Sequence, residues 1–183
     1  MGLLNEFVKQ IEQASDLDRG AFMLRSTNAS SSEGHDDEFT QLHSEAIALL
    51  YNDFDGQSGQ GIQLFGEFRF LPLKKAKKFW DEQCEINCDF EFSVSDERLK
   101  DGFSWRRQWF PFGWNQDANS LLMLDFEPSR LGSSGQVFAV MPDLGPGWFA
   151  ASSFSELVSK RLYQMAAADY KLECGRLPRL FPL

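Results

Sequence analysis

Apolar residues recur at helical spacing at the start of the chain. Leu3, Leu4, Phe7, Val8 and Ile11 share one face and predict an amphipathic helix over residues 3–14 that fades before Gly20. The small polar stretch STNASSSEG, residues 26–34, reads as a loop. Asp36, Asp37 and Glu38 then place negative charge where the first turn of a helix favours it. Phe39, Leu42, Ala46, Leu49 and Leu50 continue that helix on one face to an end near Asp53. DFDGQSGQG, residues 53–61, predicts a turn whose glycines permit a positive-φ exit from the helix. GIQLFGEFRF, which follows, suits one or two short strands.

Pro72 suits the first turn of a third helix, with Leu73, Ala76, Phe79 and Trp80 inward and Lys74, Lys75, Lys77 and Lys78 mostly outward. Between residues 86 and 104 the periods conflict. CDFEFSVS alternates as a strand does, whereas DERLKDG suits a helical turn. From Trp105 onward QWFPF, SLLMLDF, QVFAVM and GWFAA are four short apolar runs divided by turn residues, and they predict neighbouring strands of one antiparallel sheet. Ser153 and Glu156 form a capping box that opens a last helix, with Phe154, Leu157, Val158, Leu162 and Met165 inward. The tail CGRLPRLFPL has two prolines and no period, which suits either surface docking or mobility. This order of elements predicts an α+β fold, one domain over residues 1–183, with a mixed, largely antiparallel sheet covered on one side by helices.

Composition changes the picture in four ways. A chain of 183 residues with 43% hydrophobic content can bury a core without a disulfide or metal staple. Glu6, Lys9 and Glu12 interrupt the start where a leader needs an apolar run, and no stretch approaches the ~20 apolar residues of a membrane span. A cytoplasmic protein is expected. Cys84, Cys88 and Cys174 form an odd set with no histidine at ligand spacing, so reduced thiols and no metal or other cofactor are expected. Residues 1–55 hold 11 acids against 3 bases, whereas residues 56–183 hold 16 against 15. Such a field repels phosphate backbones and draws basic surfaces, which argues against nucleic acid and, if a charged partner exists, for a basic protein; solubility alone accounts for the same charge.

Catalytic patterns are thin. GSSGQ, residues 132–136, lacks nucleophile-elbow spacing, and GQSGQG, residues 56–61, lacks the lysine and hydroxyl of a phosphate loop. Asp117 with Asp125 or Glu127 is the one carboxylate grouping compatible with hydrolysis; Asp125 also suits a structural role at a strand end. Trp105, Trp109, Trp114 and Trp148 suit the core, although Trp114 beside Asn115 and Gln116 suits a half-exposed anchor for a partner.

Six short motifs in order resemble the SUKH superfamily, known from fungal Smi and Knr cell-wall regulators and from bacterial toxin-immunity proteins. They are Tyr51–Gln57, Phe70–Glu82, Trp109–Gly113, Leu122–Pro128, Gly135–Val137 and Ser153–Leu157, and together they span roughly residues 35–165. Trp109, Pro111, Gly113, Asp125, Pro128, Gly135, Ser153 and Phe154 carry the match. The chain departs from the pattern in lacking a Leu-Pro around His43 to Ala46 and in placing Trp114 and Asn115 where many members have a small glycine-rich turn. The resemblance implies a SUKH-like α+β fold and a non-enzymatic module that binds a toxin, often a nuclease. An intracellular regulator or scaffold of the same fold is the alternative. The residues expected at the partner surface are Asp36, Asp37, Glu38, Asp55, Gln57, Trp114 and Asp117.

Overall fold

The computed structural model describes residues 2–14, 19–26, 37–58, 61–86, 91–92, 96–100, 102–103, 105–142 and 145–166. Of the expected loop at 26–34 only Ser26 is described, and it ends a strand; residues 27–34, Asp36 and the tail lie outside the described residues. Helix α1 (Leu3–Ala14) buries Leu4, Phe7, Val8 and Ile11, as its spacing predicts, and packs on two later helices. A 3-10 turn (Arg19–Phe22) leads into strand β1 (Leu24–Ser26).

The second helix is two helices. Helix α2 (Glu38–Leu42) and helix α3 (Ser44–Leu50) meet at His43, whose φ of −115° and ψ of 20° interrupt the helical path. Phe39, His43, Ala46 and Leu50 are buried, while Leu42 is exposed and Leu49 half-buried. A histidine therefore takes an inward place that the apolar pattern assigned to leucine.

Residues 53–61 are not simply a turn. Phe54–Gln57 form strand β2, antiparallel to β1. Gly56 does have positive φ, at 75°, but inside β2; a Cβ there would sit 2.3 Å from the backbone nitrogen of Pro72. Glycine is required because two backbones meet, not because a helix ends. Phe65 and Phe68 bridge across a tight turn before strand β3 (Arg69–Phe70). Helix α4 (Leu73–Ile86) starts just after Pro72, buries Ala76 and Trp80, and leaves Leu73 and Phe79 half-buried. In the ambiguous stretch, β4 (Glu91–Phe92) and β5 (Gly102–Phe103) pair antiparallel.

Strands β6 (Trp109–Asn115), β7 (Ser120–Asp125), β8 (Gln136–Met141) and β9 (Gly145–Ala151) are the four apolar runs. With β3 they form a five-stranded sheet in the order β3-β6-β7-β8-β9, and every pairing is antiparallel. All six residues of β7 are buried. Side chains alternate between faces along a strand, so burial without interruption means that both faces are covered, not one. Phe110 packs against Phe39, His43 and Tyr51, and Phe112 against Phe65 and Phe154. Trp109 meets Phe138 and Trp105 instead. At Gly113 a Cβ would lie 2.9 Å from the Leu122 Cβ, so β6 crosses β7 closely where its register shifts.

Helix α5 (Phe154–Ala166) opens on the expected cap, in altered form. The Ser153 hydroxyl accepts from the Glu156 N–H at 3.1 Å, but Glu156 reaches back to the Ser152 N–H, at 2.8 Å, one residue earlier than a capping box prescribes. Phe154, Leu157 and Val158 are buried, joined by Arg161; Leu162 is half-buried, and the Met165 side chain lies outside the described residues.

Candidate functional site

The residues expected at the partner surface divide by what holds them. Asp55 is half-buried, and its carboxylate accepts from the Leu73 N–H at 2.7 Å, capping α4 from a strand 18 residues earlier. Gln57 is buried, which corrects its assignment to a contact surface. Its amide donates to the carbonyls of Phe22 (2.6 Å) and Ile62 (2.7 Å), and its oxygen accepts from Leu64 (3.0 Å) and Phe70 (2.9 Å). All four hydrogen-bonding positions of the side chain are used inside the fold.

Helix α4 separates the remaining residues into two groups. On one flank, Asp37 caps α2 through the Thr40 N–H at 2.8 Å and reaches the Lys77 ammonium at 3.5 Å. The Thr40 amide, aided by Lys77, holds the Asp37 carboxyl below its ordinary pKa. Glu38 pairs with Arg107, and the Arg107 guanidinium lies over Trp80. Lys77 also pairs with Asp81 at 3.2 Å. Asp37 and Glu38 are thus partly neutralised by bases from the less acidic part of the chain. On the other flank, Trp114 packs its ring against Phe79 at 5.4 Å, with the Lys75 ammonium 5.9 Å from the ring centre. Lys75 and Phe79 are one turn apart, and Lys77 points away from both. Asp117 is exposed in the β6–β7 turn, which Asn115 holds by accepting from the Asp117 and Ala118 N–H groups. Asp36 falls outside the described residues.

The carboxylates of the hydrolytic alternative are not brought together. Asp117 lies in the turn before β7 and Asp125 at the far end of that strand, so its length of about 16 Å lies between them. Acid–base pairs in glycoside hydrolysis work within about 10 Å. Asp125 is fully buried and accepts from the Glu127 N–H and the Gln136 amide, each at 2.9 Å. Gln136 also donates to the Arg98 carbonyl at 2.9 Å. Burial raises the Asp125 pKa against the pull of these donors, of Trp109 and of Arg106. Glu127 pairs with Lys100. Strand β7 ends at Asp125, and Glu127 lies beyond it. Asp125 is therefore a buried junction that ties β7, β8 and the segment before Trp105 together, in line with its structural reading.

His43 is the residue that spacing alone missed. It sits among Phe39, Trp80, Phe110 and Phe126, with ring centroids 5.1–6.2 Å away, and neither ring nitrogen makes a hydrogen bond of normal geometry. Burial pushes its pKa down to about 4, partly opposed by the nearby Arg107 carbonyl. Arg107 and Lys77 were also missed as partners of the acidic turn. The Glu38–Arg107 pair spans 69 positions, and nothing local in the sequence announces it. Cys84 is a free thiol whose pKa burial pushes up to about 11. Among the described residues no group of three His, Cys, Asp or Glu gathers as metal ligands, and no helix is long and apolar enough to cross a membrane.

These elements define an α+β protein with a five-stranded antiparallel sheet, helices against it and a charged aromatic surface around α4. The chain belongs to the SMI1/KNR4 family (SUKH-1), whose profile matches residues 40–160, from α2 to α5. A search of curated proteins found no match. The matched stretch contains the structural motif Trp109, Pro111, Gly113, Asp125, Pro128, Gly135, Ser153 and Phe154.

Proposed function

We propose that the chain is a non-enzymatic binding module of the immunity type, which neutralises a toxin, often a nuclease in this superfamily, by direct contact. The observation that carries this reading is the setting of Trp114. It is a half-exposed aromatic on strand β6, braced by Phe79, beside the exposed turn that bears Asp117. A braced aromatic loses little freedom on contact, which is why such residues dominate binding energy at protein interfaces. Glu38 and Glu45 extend an acidic face along α2 and α3 for a basic partner. The hydrolytic alternative has lost its geometry, because Asp125 is engaged and remote from Asp117.

The experiment is to express the chain with the product of the neighbouring reading frame. A stoichiometric complex that protects cells from that product's toxicity is expected. A toxic neighbour that the chain neither binds nor neutralises overturns the reading.

A further inference from the structure

We propose that Trp114 and the cations around it form a docking surface for an acidic segment of another protein, distinct from the acidic face of α2 and α3. The inference rests on the reading of the chain as a binding module, and it names the chemistry that the Trp114 contact takes. Arg69 stands directly opposite Trp114 across β3 and β6, so the two side chains lie next to each other on one face. Lys75 approaches the ring from α4, and Phe79 braces it one turn further on. From residue 69 to residue 78 the chain carries Arg69, Lys74, Lys75, Lys77 and Lys78 and no acid.

The neutralisation of these charges is uneven. Lys77 pairs with Asp37 and Asp81, and Lys78 with Glu82. Arg69, Lys74 and Lys75 enter no ion pair among the described residues. Two of these unpaired cations, Arg69 and Lys75, thus flank the half-exposed ring, in a chain whose net charge is −9. A carboxylate-rich segment satisfies these cations while an apolar residue within it covers the indole. A phosphate backbone matches less well, because its dense charge meets repulsion from the rest of the molecule and the site offers one ring for stacking.

The full chain is titrated by fluorescence anisotropy, at low salt, with a fluorescein-labelled peptide of glutamates flanking one leucine. Arg69→Glu combined with Lys75→Glu is expected to weaken binding about ten-fold, and Trp114→Leu, which keeps an apolar contact to Phe79, by about three-fold. Arg25→Glu combined with Arg130→Glu changes net charge equally and is expected to leave binding nearly unchanged. An equal loss in that control, absence of binding by the unaltered chain, or tighter binding of a labelled single-stranded oligonucleotide overturns the proposal. Circular dichroism checks that each variant is folded. The peptide test needs no toxin, so its failure and the failure of the immunity reading are separate results.

Discussion

Gln57 holds four backbone groups from three segments: Phe22 before β1, Ile62 and Leu64 in the loop after β2, and Phe70 on β3. No apolar side chain replaces it, because each partner left unpaired in the interior costs about 1–3 kcal/mol. Gln57→Leu is therefore expected to lower stability by roughly 3–5 kcal/mol, read from the shift of the urea midpoint. Gln57→Glu sets a carboxylate oxygen against the Phe22 and Ile62 carbonyls in a buried site, and a loss at least as large is expected there. A shift below about 1 kcal/mol for the leucine variant would mean that the four bonds contribute little. Asp125 follows the same logic at the end of β7. Both residues fall within the family motifs, and the structural role of Asp125 is legible at its strand end, whereas Gln57 in a glycine-rich stretch reads as surface until its partners are known.

At the scale of elements, the junction of α2 and α3 shows what a local pattern misses. Periodicity predicts one helix from the acidic turn of Asp36, Asp37 and Glu38 to near Asp53, but it cannot find the break at His43 or the aromatic cage of Phe39, Trp80 on α4, Phe110 on β6 and Phe126 just after β7 that surrounds the imidazole. The cage favours the neutral ring. The His43 pKa falls from 6.5 to about 4 on folding, so the stability it supports is fully present above pH 6.5 and is lost as pH falls through about 4. The whole effect is on the order of 3 kcal/mol. His43→Phe is expected to remove this part of the acid sensitivity: urea midpoints of variant and parent should converge above pH 6.5 in slope and diverge below it. Parallel pH profiles from 6.5 to 4 would refute the cage as the cause. The cap of α5 was legible because its residues are neighbours in sequence. Only its reach, to Ser152 and not Ser153, depended on the turn out of β9.

Across the whole molecule, the charge imbalance of the first 55 residues is weaker in space than along the chain. Asp37 and Glu38 meet Lys77 and Arg107, which come from outside that segment. Glu45 is exposed and enters no ion pair among the described residues, so it keeps its full charge for a basic partner. Reversing Glu38→Lys with Glu45→Lys is expected to slow association with a basic cognate toxin about ten-fold at low ionic strength and to flatten the salt dependence. Stopped-flow mixing measures this, and an unchanged on-rate would remove α2 and α3 from the interface. Stability should change little, because the exposed Glu38–Arg107 pair is worth at most about 1 kcal/mol.

The sequence by itself determined the elements that depend on near neighbours: the amphipathic face of α1, the four apolar strands after Trp105 and the serine cap of α5. It also determined the family, through motifs whose spacing survives without knowledge of contacts. The tertiary structure alone decided that Gln57 and His43 are interior, that Asp125 is a junction, that both sheet faces are covered and that Lys75 and Arg69 flank Trp114. Those outcomes depend on groups tens of residues apart whose meeting is set by chain topology, and burial and charge pairing belong to the meeting, not to the residues.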